Sequence, residues 1–232
     1  MGRGNFRMVT KSQPDAGKHR VFLVDDHPIV RKGLAQLIDH EPDLIVVGQG
    51  EEAFQSLRDI KQIKPDLVIV DVSLKDSDGL ELLKEIKSQF PELPVLVLSM
   101  HDESLYAERA LRSGAGGYVM KQEAPQTLLA AVRSVLAGQV YVSSKMGATL
   151  LQRMVGGRKK TAALPMDRLT DRELEIFRMI GEGKSMKEIA DKLFLSVKTI
   201  EAHREHIKEK LNIKKSSELL RYAIRNSPDS SP

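Results

Sequence analysis

The sequence predicts an α/β domain built on a doubly wound parallel sheet of five strands, followed by a smaller all-α domain. Over residues 20–137, short apolar runs alternate with helical patterns, and the run at residues 67–70 is apolar at every position. Parallel strands need crossover helices between them, and a strand buried on both faces shows no polar alternation. Residues 165–226, by contrast, contain helical patterns without intervening strand runs.

Each predicted element of the first domain follows from its own pattern. Apolar runs that end at polar residues predict the strands, and amphipathic stretches between them predict the helices. The flavodoxin-like strand order 2-1-3-4-5 is expected for such a chain. The predicted strands are Val21–Val24, Leu44–Gly48, Leu67–Asp71, Val95–Leu98 and Gly116–Met120, and the predicted helices are Pro28–His40, Glu51–Ile63, Pro125–Ala137 and two that begin near Gly79 and Glu103.

Composition excludes several classes of protein. The 232 residues include no cysteine, which excludes disulfides, thiolate nucleophiles and zinc fingers. No apolar run reaches the roughly 18 residues of a membrane span, and no signal-peptide pattern is present, so we expect a cytoplasmic protein without a membrane partner. Residues 21–157 carry 14 Lys and Arg against 19 Asp and Glu, whereas residues 158–226 carry 17 against 11. A basic second domain favours a polyanionic partner.

Polar residues follow four of the predicted strands. Asp25 and Asp26 follow the first, Asp71 ends the third, Ser99 follows the fourth and Lys121 follows the fifth. The carboxyl ends of parallel strands form one edge of the sheet, where ligands of open α/β sheets bind. We therefore expect these side chains to meet in one pocket, with Asp71 as the reacting group.

The chemistry of this set points to phosphoryl transfer. Neighbouring carboxylates repel each other by about 4 kcal/mol per close pair at an effective dielectric constant near 20, so the pocket needs a divalent cation. Oxygen ligands favour Mg²⁺ as the cofactor. With the Lys121 ammonium opposite, a phosphoryl group has its charge neutralised while an Asp71 oxygen attacks, which makes an aspartyl phosphate. Taken singly, each of these residues also fits the role of a helix cap or of a solvated surface charge. Their combination at one edge of the sheet favours a phosphoryl-transfer site.

The second half begins after a break in the helical pattern at Gly138. We predict a linker at 138–164, which includes a short helix near Met146–Met154 and a Gly-Gly-Arg-Lys-Lys segment. The remaining boundaries are a disordered tail at 1–19, the first domain at 20–137, the second at 165–226 and a disordered tail at 227–232.

Two capping boxes mark helix starts in the second domain. They are Thr170-Asp171-Arg172-Glu173 and Ser185-Met186-Lys187-Glu188, in which hydroxyl and carboxylate satisfy the exposed amides of a helix start. A tight turn then leads to Ser196, which caps a third helix at Val197–Leu211. Helices at Met186–Leu193 and Val197–Leu211, joined by a tight turn, predict a helix-turn-helix.

The outward face of the third predicted helix is the candidate DNA-reading surface. A mixed-charge helix face is often only solvated, and that alternative stays open for these residues. The preceding turn and the positive charge of the domain favour DNA binding. The predicted DNA-binding residues are Lys198, Thr199, Glu201, Ala202, His203, Glu205 and Lys208.

Residues 20–137 resemble the receiver domain of two-component response regulators through Asp25-Asp26, Asp71, Ser99 and Lys121. The segments Val-Asp-Asp-His-Pro-Ile-Val-Arg-Lys-Gly-Leu and Leu-Ser-Met-His-Asp are similar to those of the NarL/FixJ type. The resemblance implies a sensor histidine kinase as phosphodonor, Mg²⁺ as cofactor and the carbonyl of Ser73 as a metal ligand. It also implies that Ser99 binds the phosphoryl group while Tyr118 turns inward behind it.

Residues 169–226 resemble the LuxR-type DNA-binding domain. The resemblance rests on Leu-Thr-Asp-Arg-Glu-Leu-Glu, Lys-Glu-Ile-Ala and Ser-Val-Lys-Thr-Ile-Glu-Ala-His-Arg. It implies a fourth helix, Ser216–Arg225, that the family uses for dimer contact.

Together the patterns predict a transcription regulator of a two-component system that binds promoter DNA as a homodimer when Asp71 is phosphorylated. It is not expected to be an enzyme beyond its own Mg²⁺-dependent phosphorylation and slow dephosphorylation. One alternative is a phosphatase of the haloacid dehalogenase type, but that chemistry needs a second acid where Ser73 stands. A receiver that switches without phosphate, or an RNA-binding regulator, fits the residues less well.

Overall fold

The computed structural model describes residues 17–74, 77–100, 103–155, 165–193 and 195–225. The predicted C-terminal tail, all but the last three residues of the predicted N-terminal tail, and the Gly-Gly-Arg-Lys-Lys segment lie outside the described residues. No helix in the described ranges combines the length and the apolar character needed to cross a membrane.

A five-stranded parallel sheet forms the centre of the first domain. Numbered along the chain, its strands lie in the order 2-1-3-4-5, which confirms the predicted order and the predicted doubly wound fold. The strands are β1 His19–Val24, β2 Leu44–Gly50, β3 Leu67–Asp71, β4 Val95–Ser99 and β5 Gly117–Met120.

Helices cover both faces of this sheet, which explains the unbroken apolar run of β3. Leu67 and Ile69 point into the core on one face, while Val68 and Val70 point into the core on the other. Burying each such side chain contributes about 1.5–3 kcal/mol, so the central strand is held firmly on both sides. The helices are α1 Pro28–Asp39, α2 Ala53–Ile63, α3 Gly79–Gln89, α4 Glu103–Arg112 and α5 Pro125–Leu136.

A short antiparallel hairpin interrupts the predicted path from β3 to α3. Ser73–Leu74 pairs with Ser77–Asp78 before α3 begins at Gly79. This hairpin is not predictable from the sequence pattern, because two-residue strands have no measurable periodicity.

The residues that follow α5 lie along the free edge of β5. Tyr141 forms a parallel bridge to Gly117, and its carbonyl accepts a hydrogen bond of 2.9 Å from the Tyr118 amide. The Ser143 amide donates to the Glu103 carboxylate at 2.6 Å, and Met146 of α6 (Ser144–Val155) is buried. The stretch predicted as a linker therefore begins with residues that pack against the first domain.

The second described domain is entirely helical, as predicted. A short 3₁₀ turn at Pro165–Arg168 leads into the first helix, and both predicted capping boxes are present, at Thr170 and at Ser185. The inward residues Ile200 and Ile207 of the third helix are buried. The helices are α7 Asp171–Gly181, α8 Met186–Lys192, α9 Val197–Lys210 and α10 Ser216–Arg225.

Candidate functional site

The carboxyl ends of β1 and β3 place two aspartates in a buried pocket. Asp25 and Asp71 are each only 2% exposed. Their position follows from parallel pairing, since β1 and β3 lie side by side and end together. The Asp25 amide donates to the Gly50 carbonyl at 3.1 Å, which ties this loop to the end of β2.

Lys121 reaches across from the end of β5 to both aspartates. Its Nζ lies 2.7 Å from Asp71 Oδ2 and 2.6 Å from Asp25 Oδ2. Burial alone lowers the pKa of Lys121, but the negative charges of Asp71 and Asp25 outweigh it and raise that pKa above its ordinary value. Lys121 is therefore a cation at physiological pH, as the predicted phosphoryl-binding role requires.

Asp26 and His27 complete the acidic pocket. His27 Nδ1 lies 2.7 Å from Asp26 Oδ1, 3.4 Å from Asp25 Oδ1 and 4.0 Å from Asp71 Oδ2. One ligand atom from each of these four residues fits within a span of 4.8 Å.

The pocket suits a hard divalent cation. Asp25 Oδ2 lies near the Lys121 ammonium, and Asp26 Oδ1 lies near the His27 imidazole. Both oxygens are buried, yet neither accepts a hydrogen bond of good geometry. A bound metal ion would satisfy buried carboxylate oxygens in this state. The oxygen-rich set fits Mg²⁺, which would be held by the carboxylates of Asp25, Asp26 and Asp71. The backbone of Ser73, the fourth predicted ligand, lies in the hairpin two residues after Asp71.

The two predicted switch residues lie inside the domain. Ser99 ends β4 and is fully buried, and its carbonyl accepts a hydrogen bond of 2.7 Å from the Lys121 amide. Tyr118 is also buried. The Tyr118 backbone bonds to Tyr141, so the switch residue is in direct contact with the chain that leads to the second domain.

Sequence reasoning missed His27, which lies in the pocket, and Arg31, which lies beside it. His27 directly follows the aspartate pair, and that adjacency was the available signal. Arg31 shares the buried face of α1 with Ala35 and Ile38, at the spacing of an inward helix stripe. A charged residue on such a stripe signals a buried partner.

The predicted DNA-reading face lies on α9 and is mostly exposed. The Ser196 hydroxyl caps α9 by accepting from the Thr199 amide at 3.1 Å, and the Ser196 and Thr199 hydroxyls lie 2.7 Å apart. Thr199 and His203 are half-buried at the margins of the face, and burial lowers the pKa of His203. The exposed members are Lys198, Glu201, Ala202 and Glu205.

Lys208 is less available than its place on the predicted outward face indicates. Its side chain is 15% exposed, and its Nζ contacts Glu205 Oε2 at 2.7 Å. The hydrogen bond from Lys208 lowers the pKa of Glu205. Two residues further along α9, Lys210 pairs with the buried Glu173 at 2.7 Å, which fixes the C-terminal end of the helix to the start of α7.

Comparison with known protein families matches both halves of the chain. The response regulator receiver domain matches residues 21–133, and the bacterial regulatory proteins of the luxR family match residues 167–223. The chain is also 37% identical over 210 residues to the oxygen regulatory protein NreC of Staphylococcus carnosus, covering 89% of this chain and 97% of that protein.

Solved structures agree with these matches. One similar structure is RcsB of Salmonella enterica serovar Typhimurium bound to promoter rprA in the presence of the phosphomimetic BeF₃⁻. It is 30% identical to this chain and superposes with a TM-score of 0.55, and the match covers 89% of this chain and 98% of the RcsB chain. A LuxR-family two-component response regulator from Aurantimonas is 33% identical, with a TM-score of 0.56 over 60% of this chain and 99% of its own. A receiver fold with its acidic pocket, joined to a helix-turn-helix domain, shows that the chain belongs to the two-component response regulators of the NarL/FixJ type, a family of transcription regulators.

Proposed function

We propose that Asp71 accepts a phosphoryl group from a sensor histidine kinase and that this modification controls promoter binding. The supporting observation is the Lys121 ammonium, which lies within 2.7 Å of both Asp71 and Asp25 in a buried pocket. In the transfer, a bond forms between an Asp71 carboxylate oxygen and phosphorus, while the bond from phosphorus to the donor imidazole breaks.

The charges of the pocket suit this transfer. Mg²⁺, when bound, supplies positive charge that offsets the carboxylates and the phosphoryl oxygens. Lys121 offers a second positive charge from the opposite side, and a buried charge acts more strongly than one in water. Asp25 and Asp26 would hold the cation beside Asp71. The same groups support slow, Mg²⁺-dependent loss of the phosphate to water, so the protein needs no further catalytic site.

Phosphorylation would act on the rest of the molecule through Ser99 and Tyr118. An aspartyl phosphate carries about 1.5–2 negative charges next to Ser99 in place of the single charge of the carboxylate, and the Ser99 hydroxyl then donates to a phosphoryl oxygen. A shift of a two-state equilibrium from 1:99 to 99:1 takes about 5.5 kcal/mol, which is more than one hydrogen bond supplies. Movement of Ser99 therefore has to be joined by repacking around Tyr118, which is bonded to Tyr141 at the start of the connecting segment.

The output we propose is a homodimer that places two copies of α9 on the half-sites of a promoter. On α10, Leu220 and Ile224 are 39% and 46% exposed and lie one helical turn apart. Such an apolar pair on a short amphipathic helix is suited to packing against a second copy. Promoter DNA also implies that the protein acts in the cytoplasm, beside the chromosome.

On the DNA-binding face of α9, we propose one role for the lysines and another for Glu201 and Ala202. Lys198 and Lys208 contact phosphates, and Lys208 must leave Glu205 to do so. Glu201 accepts a hydrogen bond from cytosine N4, and Ala202 contacts a thymine methyl group. Thr199, His203 and Glu205 lie at the edges of the contact.

The assignment of Asp71 is tested by phosphate incorporation from a small phosphodonor in the presence of Mg²⁺. We expect one phosphate per chain in the parent protein and none in Asp71→Asn. Asp59→Asn, which makes the same substitution on α2, is the matched control and should keep full incorporation. Stoichiometric labelling that persists in Asp71→Asn contradicts the assignment.

The roles on α9 are tested by DNA binding at several salt concentrations, with cognate and scrambled duplexes. Lys208→Ala should weaken binding to both duplexes equally and reduce the salt slope by about one unit. Glu201→Ala should relax preference at one base pair by about 1–3 kcal/mol and leave binding to the scrambled duplex equal or tighter. If Glu201→Ala keeps the full preference, Glu201 is only a solvated residue.

A further inference from the structure

Arg31 is a buried arginine beside the acidic pocket, with only 9% of its surface exposed. It lies in the first turn of α1 and faces the loop that carries Asp25. One guanidinium nitrogen donates to the backbone carbonyl of Asp25 at 2.5 Å, and the other forms an ion pair with Glu51. Glu51 directly follows β2, so Arg31 joins the loop after β1 to the loop after β2.

The contacts of Arg31 complete a full set of restraints on Asp25. The Asp25 amide donates to the Gly50 carbonyl at 3.1 Å, and the Asp25 carboxylate accepts from the His27 amide at 2.8 Å. Arg31 holds the remaining backbone group, the carbonyl. That carbonyl belongs to the peptide plane between Asp25 and Asp26, so its orientation sets the directions in which both carboxylates leave the backbone.

We propose that Arg31 is a positioning residue for the divalent cation, acting through the Asp25 carbonyl. The inference rests on the proposed function, in which Asp25 and Asp26 hold that cation. Neighbouring carboxylates repel each other, and a loop that is free to relax moves them apart. By holding the peptide between them, Arg31 keeps the two carboxylates close before the cation arrives, so less of the binding free energy is spent on ordering the loop.

Glu51 has a distinct part in this arrangement. An arginine next to a cation site repels the cation, and that repulsion opposes the gain from positioning. The Glu51 carboxylate, paired with Arg31, cancels the guanidinium charge while leaving its hydrogen bond to Asp25 intact. The two effects of Arg31 on cation affinity therefore have opposite signs, and a measurement can separate them.

The experiment is a calorimetric titration of the full chain with MgCl₂. Arg31→Met keeps the length and apolar character of the stem but removes the guanidinium. Because residues that hydrogen-bond and orient metal ligands typically contribute 10–100-fold to metal affinity, we expect the Kd for Mg²⁺ to rise about tenfold or more. Arg31→Lys keeps the charge but cannot span both partners, so its Kd should rise by a smaller factor. Glu51→Gln should raise the Kd through uncompensated charge, and added salt should reduce that effect.

Arg133 provides the matched control. It is also an arginine in ion pairs, joining α5 to Glu41 and Asp43 in the loop between α1 and β2, and neither partner belongs to the acidic pocket. Arg133→Met should leave the Kd for Mg²⁺ unchanged. Thermal unfolding of each variant shows which chains are folded at the temperature of the titration.

A folded Arg31→Met protein whose Kd for Mg²⁺ is unchanged overturns the proposal. A lower Kd overturns it as well, because Arg31 would then act on the cation only by charge repulsion. Should Arg31→Met not fold, Arg31→Lys decides: an unchanged Kd in that variant overturns the proposal. A parent protein that binds no Mg²⁺ contradicts the proposed function itself, and the inference with it.

Discussion

Gly79 lies where the chain that follows the hairpin passes the end of β3, and we predict that Gly79→Ala damages the Asp71 pocket. A β-carbon added at Gly79 would lie 2.0 Å from the carbonyl oxygen of Asp71 and 2.8 Å from the Cα of Val72. Both are backbone atoms of buried residues, so neither can move away by a change of rotamer. Because nonbonded contacts are favourable near 3.5 Å, the backbone segments must separate by more than about 1 Å.

The cost of this separation can be placed on the scale of overpacked cores. Extra methylene groups in a packed core typically cost about 1–3 kcal/mol, and a clash between two backbone segments belongs at the upper end of that range. For a domain of this size, about 3 kcal/mol corresponds to a fall in Tm of about 10 °C or more. Asp71 is the residue displaced, so phosphate incorporation should fall as well.

Thermal unfolding followed by circular dichroism measures the effect, with Gly33→Ala as the matched control. Gly33 lies within α1, and a β-carbon there meets no atom within 4 Å. Alanine at an open helix position stabilises by about 0.5–1 kcal/mol relative to glycine, so Gly33→Ala should unfold at or above the parent Tm. A Tm for Gly79→Ala within about 2 °C of the parent refutes the reasoning from close backbone approach.

Two further predictions concern the ion pair of α5 and the cap of α8. A hydrogen bond from Arg133 lowers the pKa of Asp43 to about 2, and Arg133→Ala should return it toward 3.8, which an NMR titration of the Asp43 carboxyl measures. Since the pKa of Asp43 is lower in the folded protein than in the unfolded chain, this contact stabilises the protein above pH 3.8, and the stabilisation is lost as the pH falls toward 2. The parent should therefore lose its stability advantage over Arg133→Ala in that interval. A difference in free energy of unfolding that stays constant across the interval contradicts the assignment. Ser185→Ala removes the hydroxyl that accepts a hydrogen bond from the Glu188 amide, and should destabilise the second domain by about 1 kcal/mol in urea unfolding. An unchanged midpoint of urea unfolding contradicts the role of Ser185 as a cap.

The position of the pocket was predictable from sequence because strand ends are local features that the sheet then gathers. Asp71 and Lys121 are 50 residues apart in the chain, yet each follows an apolar run, and parallel pairing alone brings such ends to one edge. The capping boxes were predictable for a similar reason, since each depends on residues only three apart.

Arg31 and Tyr141 could not be predicted in the same way, because long-range partners determine their roles. Arg31 lies on the apolar stripe of α1, where a charge is ordinarily unfavourable, and its ion-pair partner Glu51 is 20 residues away. Tyr141 forms a single bridge to β5, and one bridging residue has no periodicity to detect. Both residues modify the site rather than form it, which explains why the pocket could still be recognised without them.

The central claim, that phosphate on Asp71 switches the molecule to its DNA-binding dimer, is tested most directly by analytical ultracentrifugation of the full chain with a promoter duplex. The titration is run with and without beryllofluoride, which mimics the phosphoryl group, on the parent protein and on Asp71→Asn. We predict a monomer that becomes a dimer with raised DNA affinity only when the parent protein meets both beryllofluoride and Mg²⁺. A parent that stays monomeric while its DNA affinity rises fully would contradict switching by dimerisation, and an Asp71→Asn protein that responds like the parent would contradict the role of Asp71.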